Sequence, residues 1–319
     1  MTPSPPTPSA PGAWKSTTFS PLVRHPANPI ITPADMPVEC SAVFNCGAVK
    51  FEGDVLLLLR VEDAERQTRF HTARSRDGVH FDVCPEPIDY PLREIERRLG
   101  SHRFDMRITP LEGTYYICHA LWIKPGCVIA MARTDDFRTF TPLEAISPPS
   151  NRNAVLFPEK IDGLYTRLER PQNIDGSGQI WISRSPDLKY WGDFAPLAMP
   201  DPSWTSRKTG PGAIPIKTNA GWLVIYHATT ITASTENYYL GALLLDLADP
   251  AKVIAAPRKF ILSPEEIYEC VGQVPNVVFS GGAVEMEGGT LNIYYGGADT
   301  RICLATTTID RLVQFCLTK

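Results

Sequence analysis

Short apolar runs, each interrupted by a polar residue and a glycine, recur along the chain. One apolar strand precedes the glycine and a second one follows it. This is the pattern of a tight antiparallel hairpin, because glycine supplies the positive φ that such turns need. The arrangement occurs five times, every 50 to 68 residues, around Gly53, Gly113, Gly163, Gly221 and Gly289. Five related hairpins indicate a repeat architecture.

A second signature follows the hairpins in register. The segment ARSRDGVHF (73–81) is echoed by ARTDDFRTF (132–140) and SRSPDLKYW (183–191), and more weakly at 244–250 and 304–310. Each is a short strand that runs into an Asp-containing turn, and in the first three an aromatic residue follows that could open an outer strand. One repeat therefore holds three or four antiparallel strands.

These repeats predict an all-β protein, a single five-bladed β-propeller over residues 21–319, because one such sheet cannot bury both of its faces but five arranged radially can. Residues 28–31 are expected to close the ring against the C-terminal strand, and only residues 91–99 look helical, as an insertion in a loop. Two β-sandwich domains are the alternative, which five equal repeats disfavour. The inner strands are expected to begin near Asn45, Asp105, Val155, Ala213 and Gly281.

Composition excludes several classes of partner. The chain is 43% hydrophobic with a net charge of −4, so it lacks the basic excess that a nucleic-acid backbone requires. Its longest aliphatic run (55–59) is far shorter than the roughly 20 residues that span a bilayer. The N-terminus has no secretory signal pattern. We therefore expect a cytoplasmic protein with no nucleic-acid or membrane partner. A homo-oligomer is compatible with this composition.

Two further features concern the N-terminus and the cysteines. The start, MTPSPPTPSAPG, is rich in proline, so residues 1–20 are expected to form a disordered tail. The eight cysteines show no CxxC spacing. This favours free buried thiols over disulfides or a zinc site, and no metal is expected.

Charged residues collect at one end of the predicted channel. In a propeller the first strand of every blade lines the channel, and the far end of the second strand returns to the same mouth. Acids, bases and amides at one axis indicate a polar, anionic or polyhydroxyl ligand, whereas the alternative is that they only solvate the channel or pair with one another. The residues placed at this mouth are Asn45, Arg60, Glu62, Asp63, Arg103, Asp105, Arg107, His119, Arg152, Asn153, Glu159, Lys160, Glu169, Arg170, Arg207, Lys208, His227 and Asp299.

Asp105 is a candidate proton donor. Its neighbours Phe104 and Met106 favour the protonated carboxyl by desolvation. Arg103 and Arg107 favour the carboxylate instead, so the residues leave both directions open.

A basic group comes from three different repeats. Arg152, Asn153, Lys208 and His227 combine the guanidinium, ammonium and neutral donors that phosphate recognition uses. The chain has no Gly-rich phosphate loop, metal-ligand spacing or nucleophile elbow. The alternative is that Glu159 or Glu169 pairs with these cations.

A run of motifs resembles a known family. These are NPIITP (28–33), FNCGAV (44–49), LLRV (58–61), DMRIT (105–109), LFPEKIDGLY (156–165), ERP (169–171), GPGAIPIKT (210–218), GWLVIYHA (221–228), YYLGALLLDLADP (238–250), VPNVVF (274–279) and YYGGADTRICLA (294–305). In this unbroken order, from about residue 20 to the C-terminus, the chain is similar to glycoside hydrolase family 130, the β-mannoside phosphorylases.

The resemblance implies a five-bladed propeller that cleaves a β-mannoside oligosaccharide with inorganic phosphate, by inversion, to give α-mannose 1-phosphate. It implies phosphate as co-substrate and no cofactor. It makes Asp105 the general acid, acting through the mannose 3-hydroxyl, which relays a proton to the glycosidic oxygen. The implied substrate-binding residues are Asn45, Arg60, Arg107 and Asp299, and the implied phosphate-binding residues are Arg152, Asn153, Lys208, His227 and Tyr239.

One segment departs from the family pattern. Members commonly read Glu-Asp-Pro-Arg where this chain has FDMR (104–107). The acid and the arginine are kept, while the changed neighbours bear on the leaving sugar. Two alternatives stay open: a β-mannosidase of the same family, with Glu62, Glu159 or Glu169 as the base, and a non-catalytic sugar-binding propeller.

Overall fold

The structure is a computed structural model that describes residues 20–99, 102–124, 126–200, 203–233 and 235–318. The segment predicted as a disordered tail lies outside the described residues, apart from Ser20. No helix in the described ranges is long and apolar enough to cross a membrane. The helices are α1 (Glu94–Leu99), α2 (Ile267–Cys270) and α3 (Ile309–Leu317), with 3-10 turns at Pro33–Asp35 and Ser203–Thr205.

Strands make up most of the described chain. They are β1 (Val23–Arg24), β2 (Ala42–Phe51), β3 (Asp54–Glu62), β4 (Thr68–Ser75), β5 (Asp82–Val83), β6 (His102–Leu111), β7 (Thr114–Ile123), β8 (Gly126–Thr134), β9 (Thr141–Ile146), β10 (Asn151–Leu156), β11 (Tyr165–Pro171), β12 (Trp181–Ser185), β13 (Gly192–Pro196), β14 (Lys208–Pro211), β15 (Ile216–Thr218), β16 (Gly221–Ile231), β17 (Glu236–Leu245), β18 (Val253–Ala255), β19 (Val278–Glu285), β20 (Thr290–Gly297) and β21 (Arg301–Thr308).

These strands form five antiparallel sheets, each of which is one blade. Blades 1 to 3 are β2–β5, β6–β9 and β10–β13. Blade 4 is β14–β18, and blade 5 joins β19–β21 to β1. The predicted five-bladed propeller is confirmed. The inner strands run through or beside the positions expected for their starts, but they begin a few residues earlier, as β2 does at Ala42.

The first hairpin shows why the glycine pattern predicted the repeats. Between β2 and β3, Glu52 has φ 50° and Gly53 has φ 89°. Two consecutive positive φ values match the twist of the flanking strands, and glycine adopts this conformation without the steric penalty of a Cβ atom.

The Asp-containing turns are present after the third strand of blades 1 to 3. In each turn one carboxylate oxygen accepts hydrogen bonds from two consecutive backbone N–H groups at 2.8–2.9 Å. The accepting carboxylates are those of Asp77, Asp136 and Asp187. The side chain thus replaces the hydrogen bonds that the turn backbone cannot make with itself.

The ring closes between the two ends of the chain, as predicted. Ile31 and Ile302 form an antiparallel bridge, and the Asn28 amide both donates to and accepts from the Leu304 backbone, at 2.8 and 2.7 Å. The outer strand β1 then pairs with β21. The last blade therefore depends on residues from both termini.

Neighbouring blades pack through apolar side chains that alternate along each strand. On β3, Leu57 packs with Tyr294 of blade 5, whereas Leu58 packs with Ile117 of blade 2. The aliphatic run of this strand is continuous because both of its faces are buried. All eight cysteines carry free thiols, and five of them are buried in these interfaces or beside the channel.

The helical insertion predicted at residues 91–99 forms α1. The buried Glu96 accepts from Arg103 Nε at 2.8 Å and from the Arg93 backbone N–H at 2.6 Å. Arg103, which the sequence analysis placed at the channel mouth, instead anchors this insertion.

Candidate active site

Three inner strands aim a polar side chain at the channel through the same backbone device. Each of the strands β2, β6 and β10 pairs with the strand that follows it, and the register of this pairing shifts at Asn45, Asp105 and Asn153, respectively. These three residues have φ of 49°, 56° and 60°. Such bulges re-aim side chains and are common beside active sites. Asparagine and aspartate tolerate this left-handed conformation better than most other residues.

The re-aimed side chains meet at a cavity of about 290 Å³. Its lining falls into two halves of different chemistry. The carboxylate half is formed by Asn45, Arg60, Asp105 and Asp299, and the cationic half by Arg152, Asn153, Arg170, His227 and Tyr238. The structure thus brings together seven of the ten residues assigned to the site from sequence.

In the carboxylate half, Asp105 is held by two donors. Its Oδ1 accepts from Asn45 Nδ2 at 3.1 Å and from Arg60 Nη1 at 3.4 Å. Arg60 also donates to the buried Glu62 carboxylate at 2.5 Å. These contacts fix the orientation of the Asp105 carboxyl, which a proton donor requires.

Asp299 is the second carboxyl of this half. Burial raises its pKa to about 7; the neighbouring Arg60 charge opposes the shift, and the Asp105 and Glu62 charges add to it. Near neutral pH this group therefore exists in both protonation states, so it can donate or accept a hydrogen bond.

The cationic half is built around Arg170, which is only 2% exposed. Its Nη1 lies 2.9 Å from His227 Nε2. Burial, and then the charge of Arg152, lower the pKa of Arg170 to about 9. Burial and the surrounding cations hold the pKa of His227 well below its usual range, so the ring is neutral and accepts at Nε2.

Several buried polar atoms of this half have no hydrogen-bond partner among the residues that the structure describes. They include Arg152 Nε, Arg170 Nε and His227 Nδ1. Within the described residues, neither arginine forms an ion pair. Glu159 pairs with Lys217 and Glu169 with Arg167 instead. The alternative that these two carboxylates neutralise the cations is therefore wrong. Buried hydrogen-bond donors without partners lower the stability of a folded protein. A group of such donors on neighbouring cations therefore fits a site that binds an anionic ligand.

Three residues assigned to the site from sequence do not line the cavity. Arg107 is buried behind Asp105 and donates to three backbone carbonyls at 2.8–3.0 Å, including the carbonyl of Asp105 itself. Lys208 lies at the edge of the cationic half and donates to Glu236 at 2.8 Å, and burial lowers its pKa. Arg107 and Lys208 therefore contact residues at the cavity without lining it themselves.

Tyr239 points away from the cavity and packs against Trp204 and Phe260, with ring centroids 6.1 and 5.3 Å apart. Its neighbour Tyr238 lines the cavity, because successive residues of a strand face opposite sides. Tyr238, Arg170 and His102 are polar lining residues missing from the assigned set, and the first two belong to the cationic half. The tyrosine pair and the ERP motif were the signals that pointed to these two.

A cavity that holds an oriented carboxyl beside a cluster of cations fits a group-transfer enzyme with a polar, anionic substrate. A family model described as beta-1,4-mannooligosaccharide phosphorylase matches residues 19–318. The chain belongs to glycoside hydrolase family 130, the family of β-mannoside phosphorylases. The family identified from the sequence motifs is confirmed, and with it the class of enzyme.

Individual relatives cover most of the chain. It is 38% identical to a beta-1,4-mannooligosaccharide phosphorylase of Ruminococcus albus, over 92% of this chain and 90% of the relative. It is 34% identical to a beta-1,2-mannobiose phosphorylase of Listeria innocua, over 92% and 98%. A solved structure of a Listeria innocua beta-1,2-mannobiose phosphorylase with beta-1,2-mannobiose superposes with a TM-score of 0.83 at 31% identity, covering 92% of this chain and 99% of that one.

Proposed function

We propose that this protein cleaves β-mannosides by inverting phosphorolysis and releases α-mannose 1-phosphate. The observation that carries the proposal is the cationic half of the cavity. In the described part of the chain, Arg152 and Arg170 have no carboxylate partner beside the neutral His227 ring, and one buried donor of each of the three has no hydrogen-bond partner. A phosphate dianion satisfies these donors and offsets the repulsion between the two guanidinium groups.

The chemistry needs one acid and one anion. Asp105 gives its proton to the mannose 3-hydroxyl, which passes a proton to the glycosidic oxygen as the bond to C1 breaks. A phosphate oxygen forms the new bond to C1 from the opposite face, and the proton that the phosphate sheds restores the Asp105 carboxyl. The phosphate replaces the base-activated water of inverting glycosidases, so a second catalytic carboxylate is not needed.

The remaining lining residues have supporting roles. Asn45 and Arg60 orient Asp105 through their hydrogen bonds and, with Asp299, bind the mannosyl hydroxyls. Asn153 and Tyr238 complete the phosphate site. Arg107 holds the strained backbone of Asp105, and Lys208, which is paired with Glu236, borders the phosphate site. Inorganic phosphate is the co-substrate, and this reaction invokes no cofactor.

The hydrolytic alternative has less support. A β-mannosidase needs a carboxylate base on the side of the attacking water. Of the candidates considered from sequence, Glu62 is bound by Arg60, Glu159 by Lys217 and Glu169 by Arg167, and none of the three lines the cavity.

The test is cleavage of β-1,4- and β-1,2-linked manno-oligosaccharides with and without phosphate. We expect α-mannose 1-phosphate as the product, with saturation in phosphate. Asp105→Asn should lower kcat by about 10²–10⁴-fold, the usual contribution of a general acid. Phosphate should stabilise this variant as much as it stabilises the wild-type protein, and this measurement serves as the control for folding. Release of free mannose at the same rate in phosphate-free buffer would make the protein a hydrolase, and saccharide binding without turnover would make it a sugar-binding propeller.

A further inference from the structure

The cavity is too small to enclose an oligosaccharide. Its volume of about 290 Å³ lies at the lower end of ligand pockets, which hold roughly 300–1,000 Å³. A mannosyl unit and a phosphate must share this space, so the rest of a saccharide has to lie across the rim.

The rim beside Asp105 is aromatic. Trp122 at the end of β7 is 54% exposed, although a tryptophan ordinarily buries most of its surface. It lies directly opposite His102 on the paired strand β6. Phe104, next to Asp105 in the chain, lies 5.6 Å from the His102 ring. All three side chains line the cavity, and we call them the rim aromatics.

The rim aromatics are supported from below. Phe104 packs with Ala120 and Cys127, and its ring lies 5.3 Å from the Arg60 guanidinium, which in turn contacts Asp105. The exposed indole is thus mounted on a fixed wall that is continuous with the acid. An exposed aromatic surface at the mouth of a cavity marks a contact for a ligand.

We propose that Trp122, backed by His102 and Phe104, binds the saccharide ring that leaves when the mannoside is cleaved. The inference rests on the proposed function and specifies the leaving group. A pyranose ring presents a face of C–H groups that an indole can cover, and its hydroxyls stay in water at the open rim.

This mode of binding sets the specificity. An apolar surface discriminates weakly between sugars that differ by one hydroxyl group, whereas a site built from buried polar partners discriminates strongly. Directly beside Asp105 the wall presents the ring of Phe104, which offers an apolar surface and no hydrogen-bonding group. We therefore expect the protein to accept several pyranosides as the leaving sugar.

The test uses the reverse reaction, synthesis from α-mannose 1-phosphate with mannose, glucose, N-acetylglucosamine and mannobiose as acceptors. Trp122→Ala should raise KM for each acceptor by roughly tenfold, the effect of losing a contact with part of an indole face. KM for α-mannose 1-phosphate should stay unchanged, and Trp122→Phe should keep most of the acceptor affinity. Phe194→Ala is the matched control, because Phe194 is 53% exposed on the outer strand of blade 3 and does not line the cavity.

The outcomes separate this inference from the proposed function. An active wild-type enzyme whose acceptor KM does not change in Trp122→Ala, or changes equally in Phe194→Ala, overturns the rim contact alone. If the wild type catalyses no synthesis, calorimetric titration of the wild type and of Trp122→Ala with mannotriose tests the rim contact separately from catalysis. Binding that is lost in Trp122→Ala then supports the rim contact and rejects the phosphorylase, while absence of binding rejects both.

Discussion

Replacing Arg170 by methionine separates stability from function at this site. At neutral pH the guanidinium is charged in both the folded and the unfolded chain, so the burial penalty is fully present and falls only as the pH rises past about 9. The pKa drops to about 9 from a usual value above 12. At about 1.4 kcal/mol per pH unit, the cost to the native state is on the order of 5 kcal/mol.

Arg170→Met keeps most of the side-chain length and removes the charge. In phosphate-free buffer we therefore expect the free energy of unfolding to stay the same or to rise, since replacing an unpaired buried charge by an apolar group relieves its desolvation. Affinity for phosphate should fall more than tenfold, because a charge-assisted hydrogen bond contributes roughly 1.5–3 kcal/mol. The same substitution should therefore preserve or raise the free energy of unfolding and weaken phosphate binding.

Arg167→Met is the matched control. Arg167 lies on the same strand and is 3% exposed, but its Nε donates to Glu169 at 2.6 Å. Removing it leaves a buried carboxylate without its cation, which should cost about 3–5 kcal/mol.

The assay is urea unfolding of both variants and the wild type, with and without phosphate, together with KM for phosphate. Phosphate at about 100 times the wild-type Kd should stabilise the wild type by about 2.7 kcal/mol, and Arg170→Met, with its weaker affinity, by about half of that or less. The reasoning is refuted if Arg170→Met destabilises the phosphate-free protein as much as Arg167→Met does, or if it keeps the wild-type response to phosphate.

Two further predictions concern the carboxyl groups of Asp299 and Glu269. Because folding raises the pKa of Asp299 to about 7, the native state keeps a proton that the unfolded chain has released. The contribution of Asp299 to stability should therefore fall as the pH rises from about 4 to 7, whereas the histidines whose pKa burial lowers contribute in the opposite direction. In Asp299→Asn the unfolding free energy should rise more steeply with pH than in the wild type, and the same slope in both proteins would contradict the shift. Glu269 accepts from Arg24 of β1 and from Tyr295, each at 2.8 Å. Glu269→Gln should lower the free energy of unfolding in urea by roughly 1–3 kcal/mol without lowering kcat of the folded enzyme. Glu94→Gln, at an exposed position, is the control, and a smaller loss of stability in Glu269→Gln than in this control would refute the role of Glu269 in ring closure.

The repeats were predictable because they rest on local rules. A glycine where the backbone needs positive φ, an aspartate that accepts two backbone N–H groups, and alternating apolar residues act within a few positions of one another. Counting these signals was enough to obtain five blades, the closure near Ile31 and the helix within residues 91–99. Asn45 and Asp105 followed from the same count, since they occupy equivalent places in their repeats.

Which charges reach the cavity depended on contacts between distant segments. Arg103 and Lys208 looked equivalent to the lining cations in the sequence, but they are taken by Glu96 and Glu236. Those partners are contributed by the α1 insertion and by strand β17, which is separated from the Lys208 strand β14 by β16. Only the assembled ring decides which cation keeps a carboxylate and which, like Arg170, is left without one.

Side-chain direction was the other property that the sequence left undetermined. A strand that slips or bulges by one residue turns its side chains to the opposite face, so Tyr238 and Tyr239 cannot be told apart until the register is known. The bulge that aims Asn153 at the cavity likewise lies two positions before the residue that the repeat count selected. The sequence by itself determined the repeat, the turns and the chemical types available at the channel. The tertiary structure decided which of them face one another, because register and charge pairing are set by contacts between separate strands and insertions, such as Lys208 of β14 with Glu236 of β17 and Arg103 of β6 with Glu96 of α1.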